Sequence, residues 1–121
     1  MITNRDFGLR FFQRSLVRSP VIQLIPSDKG ENTFRIFVLG GSAAMGTPDA
    51  SFGLSRVLEA LLQETYPRLN FEVVNAAMTA VNSHVVNEIA RSCARLKPDL
   101  FVIYMGNNEV VGPFGPGTIF R

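Results

Sequence analysis

Residues 34–46, which read FRIFVLGGSAAMG, constrain the fold more strongly than any other stretch of the chain. Phe34–Leu39 are strand-forming residues, and their apolar side chains follow one another after Arg35, which is typical of a strand covered on both faces. This strand leads directly into a glycine-rich turn that carries Ser42. In open α/β proteins such turns lie at the carboxyl edge of the sheet, where ligands bind, and the N–H groups that open the next helix point at the ligand. Ser42 is therefore the first candidate for a functional residue.

Two helices and a second strand are predicted after this turn. Apolar residues at helical spacing indicate a helix that ends before Pro67, and they are Leu54, Val57, Leu58, Leu61 and Leu62. Phe71–Val74 form a short predicted strand that closes at Asn75. Asn82 or Ser83 can cap the second helix. Its predicted buried side consists of Val86, Ile89, Ala90, Cys93 and Leu96.

The third predicted strand, Leu100–Tyr104, is followed directly by Gly106-Asn107-Asn108-Glu109. The order strand, helix, strand, helix, strand predicts a parallel sheet with right-handed connections. Ser42, Asn75 and Asn108 would then follow the carboxyl ends of three strands and converge on one rim. The predicted fold is α/β, with three α/β/α layers around a parallel, flavodoxin-like sheet.

The composition excludes several classes of function. The chain of 121 residues is one small domain, and 46% hydrophobic with 18% charged residues is typical of a globular protein. Residues 1–20 carry four arginines against Asp6, a net charge of +3, so the rest of a chain with net charge +2 carries −1. The predicted domain therefore gives no reason to expect nucleic acid. One cysteine excludes an internal disulfide, and one Cys with one His cannot form a structural zinc site.

Residues 1–30 are predicted to be a basic, aromatic arm and linker, and residues 31–121 the α/β domain. Arg10, Arg14 and Arg18 recur every four residues, which indicates a basic amphipathic helix within residues 5–18. Two interpretations stay open: its phenylalanines pack on the domain, or it contacts a membrane surface. No apolar run approaches the roughly 18 residues of a membrane span, and the recurring arginines argue against a secretion signal. The sequence does not fix the cellular compartment.

The glycine-rich turn does not fit two phosphate-binding patterns. Gly41 and Gly46 have the glycine spacing of a P-loop, but Thr47-Pro48 replace the Lys and Ser/Thr that hold phosphate and magnesium. Glycines at positions 40, 41 and 46 do not match G-x-G-x-x-G either. Nucleotide binding by a flavodoxin-like domain is kept as a third hypothesis.

Three short blocks make the chain resemble the SGNH, or GDSL-type, serine hydrolases. The family has Gly-Asp-Ser after its first strand with a further glycine four residues on, and here Gly40–Gly46 read GGSAAMG. Its second block is often Asn-Ala-Gly, and here it reads Asn75-Ala76-Ala77. Its third block is Gly-x-Asn-Asp, and here Gly106–Glu109 read GNNE. The order, the spacing and the placement of the blocks after strands agree across residues 34–109.

The resemblance implies a role for each block. Ser42 would be the nucleophile that attacks an ester carbonyl. Its own N–H, the backbone N–H of Ala77 and the side-chain amide of Asn108 would form the oxyanion hole. The implied supporting residues are Gly41, Asn75, Gly106 and Glu109. Gly41 replaces the aspartate of the family, which removes no catalytic atom, and Glu109 would brace its loop.

The catalytic base of the family lies in an Asp-x-x-His motif near the end of a domain of about 200 residues. These 121 residues contain no such motif, so the resemblance implies the N-terminal part of the domain, truncated after the third core strand and nearly inactive alone. His84 is predicted to be a surface residue on the charged side of its helix. Cys93 is predicted to be an inert core residue.

The leading hypothesis is an ester hydrolase that acts on a small ester through an acyl-Ser42 intermediate, with no metal or organic cofactor. The alternative is a non-catalytic SGNH-like binding or interaction module attached to helical repeats. Residues 7–20 and 104–120 also resemble bacterial proteins in which such a domain precedes tetratricopeptide repeats. The open apolar edge at Leu100–Tyr104 is expected to pair with another chain or to be covered by the N-terminal arm, and we expect the isolated chain to self-associate.

Overall fold

A computed structural model describes residues 4, 6–12, 19–110, 112 and 113 of the chain. The strands within these residues are β1 (Thr33–Gly40), β2 (Asn70–Asn75) and β3 (Leu100–Tyr104). The α-helices are α1 (Ser42–Met45), α2 (Leu54–Thr65) and α3 (Ser83–Cys93). Short 3-10 helices occupy Phe7–Arg10, Ala50–Phe52 and Ala94–Leu96.

The three strands form one parallel sheet in the order β2-β1-β3. Val38 of the central strand lies opposite Asn75 on one side and Val102 on the other. The predicted parallel α/β fold is therefore confirmed. The bounds of β3 agree with the prediction, whereas β1 and β2 are each one residue longer at both ends than their apolar runs.

Both faces of β1 are covered, as its unbroken apolar sequence predicts. Ile36 and Val38 pack on the side of α2, in a cluster that includes Val102. Phe37 and Leu39 pack on the side of α3. The central strand is buried from Arg35 to Gly40, because one crossover helix lies on each face of the sheet, while Phe34 at its start is 38% exposed.

The apolar stripe of α2 is only partly used by the core. Leu58 and Leu62 pack against the sheet, but Leu54, Val57 and Leu61 are 40%, 50% and 57% exposed. On α3 the predicted inward side is confirmed, and Val85 widens it by one residue. Its fully buried residues are Val85, Val86 and Cys93, while Ile89 and Ala90 are half-buried.

The described part of the N-terminal arm packs on the α3 side of the domain. Of the predicted amphipathic helix, residues 5 and 13–18 lie outside the described residues, and Phe7–Arg10 form a 3-10 helix instead. Phe7, Phe11 and Phe12 contact a core cluster that contains Leu39. Further along, Ile25 is 8% exposed and joins the core. No helix of the described residues is both long and apolar enough to cross a membrane.

The two edges of the sheet differ in how their backbone groups are satisfied. Three alternate N–H groups on the outer edge of β2 donate to side-chain oxygens: Phe71 to Gln63 (3.2 Å), Val73 to Glu59 (3.0 Å) and Asn75 to Gln23 (3.1 Å). The edge of β3 carries Leu100, Ile103 and Tyr104, which are 46%, 58% and 60% exposed. Such side-chain acceptors block strand addition at β2, whereas no described strand pairs with the outer, apolar edge of β3.

A buried arginine ties the amino end of the sheet together. Arg35 is fully buried, and its guanidinium donates to the Glu72 carboxylate (2.7 Å) and to the carbonyl oxygens of Leu96 (2.6 Å) and Pro26 (3.0 Å). Its backbone N–H donates to Asp99 at 2.7 Å. Hydrogen bonds from the Lys29 ammonium and from this N–H hold the pKa of Asp99 below its usual value. The segment before β1, strand β2 and the end of α3 thus all bind the buried guanidinium of Arg35.

Candidate active site at the carboxyl edge of the sheet

Ser42 is the first residue of α1, immediately after the central strand. Gly41 caps the helix with extended backbone angles (φ −88°, ψ −158°) and its carbonyl accepts from the N–H of Met45 at 3.0 Å. Gly46 ends α1 in the left-handed conformation (φ 89°), which glycine adopts at little cost. Ser42 is half-buried, and no described residue makes a hydrogen bond to its hydroxyl. The hydroxyl therefore lies at the rim with no partner from the part of the chain that the structure describes.

The two glycines before Ser42 let β1 and the segment after β3 approach closely. Gly40 has φ +152°, and a Cβ there would overlap the carbonyl oxygen of Tyr104. A Cβ on Gly41 would lie 3.3 Å from the Asn108 amide nitrogen and 3.8 Å from the Asn107 Oδ1. The structure therefore brings the side-chain amide of Asn108 next to the backbone that leads into Ser42.

The loop that carries Asn108 is fastened to the start of α3. The Glu109 carboxylate accepts hydrogen bonds from the N–H (2.8 Å) and the hydroxyl (2.6 Å) of Ser83. A carboxylate at a helix N-terminus is also favoured by the helix dipole. The loop closes with a bond from the Gly112 N–H to the Asn108 carbonyl (2.7 Å), and the Asn82 amide donates to Pro113 (2.6 Å). These contacts fix the loop and, with it, the position of Asn108.

Two features of this region differ from what its sequence suggests. Asn82 occupies the cap position of α3, but its side chain makes no capping bond, because Glu109 takes that role from a distant part of the chain. Gly106 has φ +148° and is exposed, and a Cβ there would meet no atom within 4 Å. Glycine is thus favoured at position 106 by the backbone conformation and not by a lack of space for a side chain.

Asn75 connects the end of β2 to α1. Its side-chain amide donates to the Met45 carbonyl at 2.8 Å, and its side-chain oxygen accepts from the N–H of Ala77 at 3.2 Å. Ala77 is fully buried. In this structure the N–H of Ala77, which the resemblance assigns to the oxyanion hole, is engaged inside the protein by Asn75.

A second alanine in the same turn has a different environment. Ala80 is exposed and has φ +61°, a left-handed conformation that is uncommon for a residue other than glycine. Its N–H has no hydrogen-bond partner among the described residues. Sequence reasoning missed this position because an alanine gives no local signal of a positive φ. Non-glycine residues held in this region cluster at functional sites.

The two residues set aside as catalytic candidates lie as expected. His84 is exposed at the second position of α3. Cys93 is buried, and burial raises the pKa of its thiol to about 11. A thiol with this pKa stays protonated and unreactive at neutral pH. No cluster of His, Cys, Asp and Glu in the described part of the chain could hold a metal ion.

Comparison with known proteins identifies the fold. No family model matches the chain, and no curated protein matches it. Among solved structures, one titled "Crystal Structure of TesA" is similar, with a TM-score of 0.53 and 27% sequence identity over 62% of this chain. The match covers 42% of the TesA chain, so the chain spans less than half the length of that structure. TesA has the SGNH fold, and the sheet described above is the corresponding part of that fold.

Proposed function

We propose that this chain carries the nucleophile and the oxyanion-binding groups of an SGNH-type ester hydrolase. One observation carries the proposal: the Asn108 amide lies beside the backbone at Gly41, directly before Ser42, at the carboxyl ends of two adjoining strands. The three sequence blocks and the likeness to TesA support the same assignment.

The proposed reaction is acyl transfer to water. The Ser42 hydroxyl oxygen bonds to the ester carbonyl carbon, its proton passes to a base, and the carbonyl oxygen becomes an oxyanion. The N–H of Ser42 and the amide of Asn108 donate to that oxyanion. When the intermediate collapses, the alcohol leaves with the proton, and water releases the acid from Ser42 by the same steps.

A third donor is proposed from the turn after β2. Ala77 is the position that the family resemblance gives, but its N–H already donates to Asn75. Ala80 lies in the same turn, is exposed, and its N–H has no hydrogen-bond partner among the described residues. A substrate that binds by way of Ala77 must therefore displace the Asn75 side chain, whereas one that binds by way of Ala80 need not.

The base is proposed to be the His of an Asp-x-x-His motif elsewhere in the complete enzyme. The single histidine of these 121 residues is His84. For the chain alone we expect ester hydrolysis close to the background rate, because donors without a base retain little turnover.

Binding of an alkylboronic acid tests the proposal without requiring turnover. The serine oxygen adds to boron and its proton goes to the buffer, so that a tetrahedral anion forms in which a boron-bound oxygen occupies the oxyanion position. We expect butylboronic acid at pH 8 to give a tetrahedral 11B NMR signal with this chain. The signal should be absent in Ser42→Ala, and binding should weaken roughly 10- to 100-fold in Asn108→Ala, which loses one hydrogen bond to a charged oxygen.

Asn107→Ala is the matched control, since Asn107 is the exposed neighbour of Asn108 with the same side chain. It should bind the boronate as the wild type does. An adduct that survives Ser42→Ala, or equal losses in the two asparagine variants, would contradict the assignment.

One observation favours the non-catalytic alternative, a binding module with the same fold. The Ala77 N–H is satisfied internally and the side chain is buried, which leaves the block-two position closed. In that case no tetrahedral boronate forms with the wild-type chain under the same conditions.

A further inference from the structure

An apolar cavity of about 290 Å³ lies on the α3 side of β2, beneath the N-terminal segment. Apolar side chains from the sheet, from α3 and its end, and from the segment before β1 line it, among them Ile25, Phe37, Val74, Ile89, Cys93 and Leu96. Neither Ser42 nor Asn108 lines it. The cavity therefore does not include the proposed nucleophile or its amide donor, and of the residues assigned to the candidate site it is lined by Asn75.

Ten of the fourteen described residues that line this cavity are apolar, and the polar ones are Asn4, Arg10, Asn75 and Ser92. Burial raises the pKa of the Cys93 thiol to about 11. A ligand-sized apolar cavity with a few polar groups is the usual form of a small-molecule site.

One charged residue lines the solvent side of the cavity. The Arg10 guanidinium lies 5.5 Å from the centre of the Phe7 ring and 5.7 Å from that of Phe11, which hold it in place. Its ion pair with Glu88 is long, at 3.9 Å, and 58% of the Arg10 side chain is exposed. A long, exposed pair leaves guanidinium N–H groups available to an incoming carboxylate.

We propose that this cavity binds a single unbranched fatty-acid anion of medium length, with the alkyl chain among the side chains of β2 and α3 and the carboxylate at Arg10. A cavity of about 150 Å³ holds one benzene molecule, so this one takes roughly eight to twelve carbon atoms by the same comparison. The site goes beyond the proposed hydrolase and does not depend on Ser42.

Calorimetric titration of the chain with hexanoate, octanoate, decanoate and dodecanoate, all below micelle-forming concentrations, tests the chain length. We expect each added methylene to tighten binding by up to about fourfold until the cavity is full. Decanol, which lacks the charge, should bind more weakly than decanoate. Affinities that do not depend on chain length would overturn the proposal.

Paired variants test the position of each part of the ligand. Ile89→Trp fills the cavity and should remove decanoate binding, while Val57→Trp, on the exposed flank of α2, should not. Arg10→Gln should weaken binding of decanoate but not of decanol. Arg91→Gln is the matched control, because Arg91 is also an exposed partner of Glu88 but does not line the cavity.

The only cysteine of the chain gives a readout that needs no substitution in the cavity. Cys93 lines the wall. Because the pKa of its thiol is raised to about 11, the reaction is run at pH 10, where part of the thiol is ionised. Bound decanoate should then slow its modification by methyl methanethiosulfonate in the wild-type chain. Unchanged modification at saturating decanoate would place the ligand elsewhere and refute the site. Ser42→Ala should bind decanoate as the wild type does, so a failed hydrolase assignment and a failed cavity assignment give different results.

Discussion

Ala77 and Ala80 lie three residues apart in the turn after β2, yet they differ in burial and in the hydrogen bonding of their N–H groups. Ala77 is fully buried and its N–H is held by Asn75. Ala80 is exposed, has φ +61°, and its N–H has no partner among the described residues. The left-handed backbone therefore lies at the residue whose N–H no described residue accepts from, and non-glycine residues in this conformation cluster at functional sites.

Replacement of each alanine by glycine separates the two positions. Ala80→Gly should raise the free energy of unfolding by about 1 kcal/mol, because glycine accepts a positive φ without steric cost. Ala77→Gly should lower it by roughly 1 kcal/mol, since it loses a buried methyl group and gains chain entropy in the unfolded state. Urea denaturation of both variants measures the difference. Destabilisation by both substitutions would show that the positive φ of Ala80 stores no strain.

Residue positions were predictable from the sequence where they depend on the chain nearby. Ser42 and Asn108 each follow a clear strand, so their place at the carboxyl edge could be inferred from strand order alone. The buried role of Arg35 could not, because its partners Glu72 and Leu96 are 37 and 61 residues away. A hydrogen bond between distant residues leaves no periodic pattern in the sequence.

At the level of elements, α2 does more than pack on the sheet. Glu59 and Gln63 reach from this helix to the outer N–H groups of β2, and Gln23 completes the row from the segment before β1. The crossover helix thus protects the edge of the strand that it leads into.

Glu59→Ala should lower the free energy of unfolding by about 1 kcal/mol, because the N–H of buried Val73 loses its acceptor. Glu59→Gln keeps an acceptor oxygen and should recover most of this loss. Glu64→Ala removes the same charge from an exposed position on the same helix, and its effect should stay within about 0.5 kcal/mol. Thermal or urea unfolding of the three variants measures these differences. Equal losses of unfolding free energy in Glu59→Ala and Glu64→Ala would contradict a specific hydrogen bond from Val73 to Glu59.

The type of each element was easier to predict from the sequence than which of its side chains are buried. The apolar spacing from Leu54 to Leu62 predicts a helix, and α2 spans Leu54–Thr65. The same spacing cannot tell that Leu54, Val57 and Leu61 stay exposed. That depends on how far the sheet extends beneath the helix, which is a property of the assembled layers.

At the scale of the whole molecule, the outer edge of β2 is covered by side-chain hydrogen bonds, whereas no strand of the described residues pairs with the outer edge of β3. We propose that the open edge at β3 pairs with another copy of the chain, because no charged residue interrupts its five apolar and aromatic side chains. The contrast with the protected edge of β2 supports this choice of surface.

Sedimentation velocity at increasing protein concentration tests the pairing. We expect the wild-type chain to associate at tens of micromolar. The Ile103→Lys variant should need roughly tenfold higher protein concentration to associate to the same extent, because a charge opposes strand addition. Leu24→Lys is the matched control, since Leu24 is even more exposed but lies in the segment that borders β2. A wild-type chain that remains monomeric throughout this range would rule out the pairing.

The protected edge of β2 has a practical consequence for handling the protein. Its outer N–H groups already donate to Gln23, Glu59 and Gln63, so a group attached beside this edge does not interfere with strand pairing. The exposed loop at residues 66–69 opens on this side. A fluorophore, a surface linker or a fused reporter joined there leaves β3 untouched, whereas the same attachment after β3 would lie next to the edge through which we propose that two copies of the chain pair.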